Sequence, residues 1–235
     1  MAMTGRVEGV ELKDDLRLFG ALQNLDEEGL EKLCRIGRCH DYPSGNVIHY
    51  PGDVDDAVYL IVRGKIKIVM TSEDGRDVAI DLLRPGDVFG LVAAVDGGGH
   101  PAHAITATEA RLLKLRAASF FSWVESQDML EDLVWKQLSS RVRHAYQRIG
   151  EHALMGVKER LLFTLLEIAE HEGEPGAEGD DVVFTRPTHR ELAQRVGSSR
   201  EVVTRVLKEL LESDLLDAEG RVIHVPLSAL VLREE

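Results

Sequence analysis

The stretch that most limits what this chain can fold into is PTHRELAQRVGSSREVVTRVLKEL, residues 187–210. Thr188 stands three residues before Glu191, and Ser198 three before Glu201. Each pair forms a capping-box pattern, in which a hydroxyl and a carboxylate satisfy the first amides of a helix. Gly197 stops the first helix, because glycine takes the left-handed conformation that ends one. Two capped helices joined by a glycine turn predict a helix-turn-helix. At about 100° per residue from Arg200, the side chains of Arg200, Glu201, Thr204, Arg205 and Lys208 fall within roughly 0–140°. By the same arithmetic Val202, Val203, Val206, Leu207 and Leu210 fall within roughly 200–340°. One face docks and the other points outward with Arg in its first turn, where recognition helices meet base edges. A solvated face with ion pairs, such as Glu201 with Arg205 four residues on, is the competing reading.

Charge bears on that choice. The 235 residues carry a formal net charge of −13, which argues against nucleic-acid binding over the whole surface. Residues 184–208 are the exception, with six bases, two acids and a local balance of +4. Residues 170–181, EHEGEPGAEGDD, hold six acids and no Lys or Arg, and read as a solvated loop. No apolar run reaches the roughly 18 residues that span a bilayer, and the N-terminus lacks the basic and apolar regions of a signal peptide. Two cysteines, Cys34 and Cys39, are too few for a disulfide framework. The expected setting is cytoplasmic, with no membrane partner.

Upstream, residues 13–37 read as helical, with Leu16, Phe19, Leu22, Leu30, Leu33 and Ile36 as apolar contacts. Residues 41–115 change character. AVYLIVRGKIKIVM, DVAIDLL and ARLLKL are rich in Val, Ile and Leu, and YPSGN, YPGD, SEDGR and RPGD separate them. Short strands at close spacing predict an antiparallel barrel or roll. A long helix is expected over 117–152, with Leu130, Val134, Leu138, Val142, Ala145 and Ile149 as its apolar stripe. Packing on the same chain would cover that stripe, but a parallel homodimer seam is the favoured reading. A further amphipathic helix follows over GVKERLLFTLLEIAEH, and LLDAEGRVIHV reads as a hairpin with Gly220 at its turn.

Taken together, HRELAQRVGSSREVVTRVLKELLESDLLDAEGRVIHV resembles the DNA-binding signature of the CRP/FNR family, and YPGD, VYLIVRGKIKI and LRPGDVFG resemble its cyclic-nucleotide-binding-type roll. The resemblance runs from about residue 16 to 225 in the family's order. It implies an α+β chain: an antiparallel β-roll sensor over 13–116, a dimerisation helix over 117–152 and a winged helix-turn-helix over 153–235. It implies a transcription regulator and not an enzyme, binding double-stranded DNA as a homodimer, with RNA polymerase as a partner if it activates. In the catabolite-activator branch an Arg-Glu pair and a later Arg read the half-site, and the matching positions are Arg200, Glu201 and Arg205. Arg can bond bidentately to guanine, and Glu can accept from cytosine N4. The implied site is a palindrome of TGTGA-like halves. Thr188, Arg190, Arg195, Ser198, Ser199, Thr204 and Lys208 would hold the phosphate backbone.

The sensor half departs from its cyclic-AMP-binding relatives. Those carry Glu after the FG pair, where this chain has Leu91 after Phe89 and Gly90. Their Arg-Ser pair falls near His100 and Pro101, and their Thr-Ser pair near His144 and Ala145. A cyclic phosphate without its Arg would be a buried anion lacking a partner, so cyclic AMP is not the expected effector. The loop VDGGGHPAHA is closer to FNR-type members, but a four-cysteine cluster is excluded within one subunit that has two cysteines. A thiol switch at CRIGRC competes with two structural cysteines. His100, His103 and His144 leave haem as an open reading, competing with solvated loop histidines. Two readings of other classes stand beside these. A cupin-like metalloenzyme needs His-x-His followed shortly by Glu, whereas two residues separate His100 from His103 and Glu109 comes six later. No metal site is therefore expected. A cyclic-nucleotide module acting on a protein partner would leave the basic helix without a role.

Overall fold

The computed structural model describes residues 9–17, 19, 22, 25–73, 75, 77–127, 130–176, 179–213 and 215–230. The chain divides into two units, residues 1–71 with 80–145, and residues 146–235 with 72–79.

The first unit opens with α1 (Gly9–Arg17) and α2 (Glu27–Ile36). The helical stretch expected over 13–37 is thus interrupted. Asp26 starts α2 afresh, its carboxylate accepting from the Gly29 amide at 2.7 Å, as an N-cap does. The roll follows as β1 (Arg38–Tyr42), β2 (Val47–His49), β3 (Ala57–Arg63), β4 (Ile66–Thr71), β5 (Asp77–Leu83), β6 (Val88–Phe89), α3 (Leu91–Asp96), β7 (His103–Thr106) and β8 (Ala110–Arg116). The strands form two sheets, ordered β1-β8-β3-β6 and β2-β7-β4-β5. Successive residues of a strand face opposite sides, and β3 uses both. Ala57, Tyr59 and Ile61 join an inner core with Leu112, Phe89 and Ala104. Val58, Leu60 and Val62 join an outer core with Leu16, Leu30, Leu33, Phe120 and Trp123 from the helices. That is why AVYLIVR reads as an unbroken apolar run.

The helix expected over 117–152 is two: α4 (Ala117–Glu125) and α5 (Leu130–Leu154). Ser126 marks the break. Its hydroxyl donates to the Trp123 carbonyl at 2.7 Å and its amide to the same carbonyl at 3.1 Å, a local bonding pattern that competes with helix continuation. Trp123 in turn donates its indole N–H to the Gly29 carbonyl at 2.9 Å, tying α4 to α2.

Four rings complete the interior of the roll. Tyr59 stacks on Phe89 with centroids 4.8 Å apart. His49 stacks on His100 at 3.6 Å with planes 8° apart. The two histidines are 6% and 3% exposed. His100 Nε2 lies 3.1 Å from Asp55 Oδ1, while His49 Nδ1 is buried without a hydrogen-bond partner.

The second unit contains α6 (Val157–Glu172), β9 (Glu174–Pro175), β10 (Asp181–Thr185), α7 (His189–Val196), α8 (Arg200–Leu211), β11 (Asp217–Glu219), β12 (Val222–Pro226) and α9 (Leu227–Leu230). Its sheet is ordered β11-β12-β10-β9, with Gly220 at φ 64° between β11 and β12. The expected acidic loop is therefore partly a hairpin, Val182 pairing with Pro175 and Val183 with Glu174. Leu161, Leu165 and Leu166 of α6 pack with Leu192 and Val196 of α7, Val203 and Leu207 of α8, and Ile223 and Val225 of β12. Each fully buried side chain of this size contributes roughly 1.5–3 kcal/mol. The expected hairpin and helix pair are both present.

Burial, and then the neighbouring His100 ring, push the His49 imidazole from 6.5 down to about 4. Between those values the unfolded chain binds a proton that the folded chain refuses, so stability is full above about pH 6.5 and is lost as pH falls towards 4. The loss is on the order of 3 kcal/mol. Urea unfolding from neutral to mildly acid pH should show this decline in the roll, and His49→Phe should flatten it. Gly197 sits at φ 61°, and a Cβ there would meet the His152 ring at 2.6 Å. Gly197→Ala should cost at least about 1–2 kcal/mol from the left-handed backbone alone, measured as a lower Tm of the C-terminal unit.

Candidate functional site

On α8 the faces separate as the angles require. Val203, Val206, Leu207 and Leu210 are buried, and Arg200, Glu201, Thr204, Arg205 and Lys208 are exposed. The expected cap shifts by one residue. Ser199, not Ser198, caps α8, its hydroxyl oxygen accepting from the Val202 amide at 3.3 Å. Ser198 is held back in the tail of α7, where its amide donates to the Ala193 carbonyl at 3.0 Å. Thr188 caps α7 in a full box with Glu191. The guanidinium of Arg160 fixes the turn from below, donating to the Val196 carbonyl at 2.9 Å and to the Met155 carbonyl at 2.6 Å.

The electrostatics of the outward face are specific. The backbone amide of Glu201 itself and the Ser199 hydroxyl hold the Glu201 carboxyl below the usual range, so it stands ionised as an acceptor. The ion pair weighed between Glu201 and Arg205 is not the one formed. Arg205 lies 3.9 Å from Glu209, and Lys208 3.6 Å from Glu212. At these distances exposed i,i+4 pairs are worth little and would yield readily to a phosphate or a base. Three of the hydroxyls assigned to the DNA backbone already have partners within the fold. Thr188 donates to Glu191 at 2.7 Å, Ser199 caps α8, and Thr204 donates to the Arg200 carbonyl at 2.9 Å. Arg190 is exposed, and Arg195 and Ser198 are half-buried on the same helix pair.

Sequence reasoning missed three cationic or titratable groups here. Arg186 and Arg221 are joined through the wing, with the Arg186 amide donating to the Arg221 carbonyl at 2.8 Å and the Arg221 guanidinium to the Arg186 carbonyl at 2.9 Å. His189 lies beside α8, its Nδ1 2.7 Å from Thr204 Oγ1. Arg186 is one of the six bases of the basic segment, but composition gave it no role.

The candidate sensor residues separate. Phe89 is in the ring stack of the roll, and Gly90 takes φ 87°, where a Cβ would meet the Ala57 carbonyl at 2.5 Å. Leu91 is buried in the outer core with the helices. His100 is buried on His49 and Asp55, contrary to the reading of a solvated loop residue. His103 is half-buried and meets Tyr50 edge-on at 5.6 Å. His144 is exposed on α5. Among the described residues no group of three or more His, Cys, Asp or Glu is placed to hold a metal ion. Cys34 and Cys39 are free and pack against the outer core. Burial pushes both thiols up, Cys39 to about 11, which disfavours the reactive thiolate.

The seam residues also divide. Val134 and Leu138 pack against the outer core of their own unit, whereas Val142, Ala145 and Ile149 are exposed. The side chain of Leu130 lies outside the described residues. Trp135, 62% exposed, was missed, although counting seven back from Val142 reaches it. A link unforeseen from the sequence joins α5 to β6. The Gln137 side chain accepts from the Val88 amide at 3.2 Å and donates to the Gly86 carbonyl at 3.4 Å. Arg141, one turn on, donates to the Val88 carbonyl, and its charge faces Asp81 and Asp87.

Among the described residues no helix is long and apolar enough to cross a membrane. Residues 39–127 match the model of the cyclic nucleotide-binding domain, and residues 159–231 that of the Crp-like helix-turn-helix domain. A CRP-like cAMP-activated global transcriptional regulator from Mycobacterium tuberculosis is 27% identical over 203 residues, covering 86% of this chain and 90% of that protein. The structure of a c-di-GMP responsive global regulator from Xanthomonas campestris superposes with a TM-score of 0.74 at 23% identity, over 86% of this chain and 99% of that one, which speaks for the fold alone. A CRP/FNR-family transcriptional regulator from Thermus thermophilus is 32% identical over 84% of this chain and 97% of its own, with a TM-score of 0.67. These relatives are transcriptional regulators, not enzymes. With roll and helix-turn-helix in the same order, and identity sustained along nearly all of the Thermus protein, this chain belongs to the CRP/FNR family of transcription regulators.

Proposed function

We propose that this chain is an effector-responsive homodimer that binds a palindromic TGTGA-like operator, with Arg200, Glu201 and Arg205 reading bases. The observation that carries this reading is the outward face of α8. It offers two exposed Arg side chains and an ionised Glu in the first two turns, on a helix whose opposite face is buried. Arg190, Arg195, Lys208 and Ser198 serve as backbone contacts, with Thr188, Ser199 and Thr204 positioning the helices that carry them. In this reading residues 13–116 form the sensor, 117–152 the dimerisation segment and 153–235 the DNA-binding segment. Exposed Trp135, Val142 and Ile149 recur at seven-residue spacing along α5, the period of a coiled-coil seam. Two-fold symmetry then sets half-sites about 34 Å apart, and RNA polymerase is a second partner where the protein activates.

The effector is not read as cyclic AMP. The M. tuberculosis relative is named as cAMP-activated, but here His100 lies buried near the position of the phosphate-gripping Arg. Leu91 is turned into the outer core where the relatives place a Glu. Haem is less favoured, because His100 already meets Asp55 and His144 is exposed on α5. A thiol switch is disfavoured by the raised thiols. The Gln137 and Arg141 links to β6 supply a route by which an effector in the roll would shift α5.

Arg200→Ala and Arg205→Ala should each cost about 1–3 kcal/mol at one operator position and relax specificity there. Binding of a panel of single-substituted duplexes checks this, and an equal loss on every duplex would make both side chains phosphate contacts instead. Cyclic AMP added to the same assay should leave operator affinity unchanged, and strong activation would overturn the reading of the sensor.

A further inference from the structure

The hydroxyl of Thr204 lies between the Arg200 carbonyl and the His189 ring on the outward side of the helix pair. Its one hydrogen goes to the Arg200 carbonyl at 2.9 Å. The arrangement that satisfies this bond together with the 2.7 Å contact to His189 Nδ1 has the hydroxyl accepting from the ring, with the proton on Nδ1. In the neutral ring Nε2, directed away from Thr204, is then a bare lone pair.

The charges that act on this ring are those of Arg186 and Arg200. Arg186 directly follows β10 and Arg200 opens α8, while Arg190 is the next residue along α7. Arg221 lies on the wing turn, tied to Arg186. The Glu191 carboxylate is engaged with the amide and hydroxyl of Thr188. Burial first, then Arg186 and Arg200, hold the imidazole below its ordinary range, so the free protein carries it neutral at neutral pH.

We propose that His189 is a proton-linked phosphate contact, and that docking on DNA adds a proton at its Nε2. The inference rests on the proposed DNA-binding reading. The chemistry is one of sign. A lone pair facing a phosphate oxygen is repulsive, whereas an N–H donor there makes a charge-assisted hydrogen bond. The phosphate also offsets the two arginines that oppose protonation. The proton comes from solvent, and no covalent bond other than N–H forms. Affinity must then rise as pH falls, by at most about tenfold per pH unit for each half-site that takes up one proton.

The test uses the full-length protein and a duplex with two TGTGA half-sites one helical turn apart, at constant salt. Fluorescence anisotropy gives Kd between about pH 6 and about pH 8, and calorimetry in buffers of different ionisation enthalpy counts the protons. The expected result is tighter binding at the acid end with about one proton taken up per half-site. His189→Gln should abolish the proton uptake and the pH slope, while His152→Gln, elsewhere in the same unit, keeps both. A His189→Gln protein that loses affinity equally at all pH values overturns the proposal, since His189 then only braces Thr204. An unchanged pH slope in His189→Gln, or a wild type without one, also overturns it. Absence of binding to any duplex at either pH removes the DNA-binding reading itself.

Discussion

The first unit depends on the pairing of β3 with β8, because these two strands are buried on both faces. Their register sets Leu60 against Leu113 and Ile61 against Leu112. The first pair faces the outer core and the second the inner one. A shift by a single residue would exchange the two sets. It would turn Tyr59 away from Phe89 and Leu113 away from α2. The helices and the ring-filled roll are therefore specified by one ladder, and neither core could form with the other misregistered.

The sensor interior has a chemical character of its own. Its imidazoles are stacked, one meeting a carboxylate and the other left with an orphan nitrogen. An unpartnered buried nitrogen costs about 1–3 kcal/mol, a cost offset by the packing of four rings. Beside it, β6 leads into Gly90 and α3, and the same strand is held by Gln137 and Arg141. The Gln137 and Arg141 links end on backbone groups, so they hold β6 whatever side chains it carries.

Much of the C-terminal unit was legible in the sequence. Its signals are local: a hydroxyl three residues before a glutamate, a glycine at a helix end, an apolar set confined to one arc. These fix caps, turn and faces over a few residues, and tertiary packing had only to accept them. The cap displaced from Ser198 to Ser199 shows the limit. Both hydroxyls suit the pattern, and only the bond from the Ser198 amide to Ala193 decides between them. The ring at His100 shows a larger one. Three glycines beside it suggest a solvated loop, but the strand that buries it, carrying His49 and leading to Asp55, lies far earlier in the chain.

The sequence by itself determined the order of roll, helix and helix pair, the outward set on α8, and the charge contrast between residues 184–208 and the rest. Each of these follows from spacing along the chain. Only the tertiary structure decided which stripe residues of α5 are spent on the chain's own core, which hydroxyls are already bonded, and where the histidines lie. Val134 and Val142 have the same apolar chemistry, yet one is packed and the other exposed. Thr204 and Ser198 are both hydroxyls, yet Thr204 has given its hydrogen to Arg200. Such outcomes depend on partners remote in sequence or on the exact seating of a turn, and no local pattern encodes the distances involved.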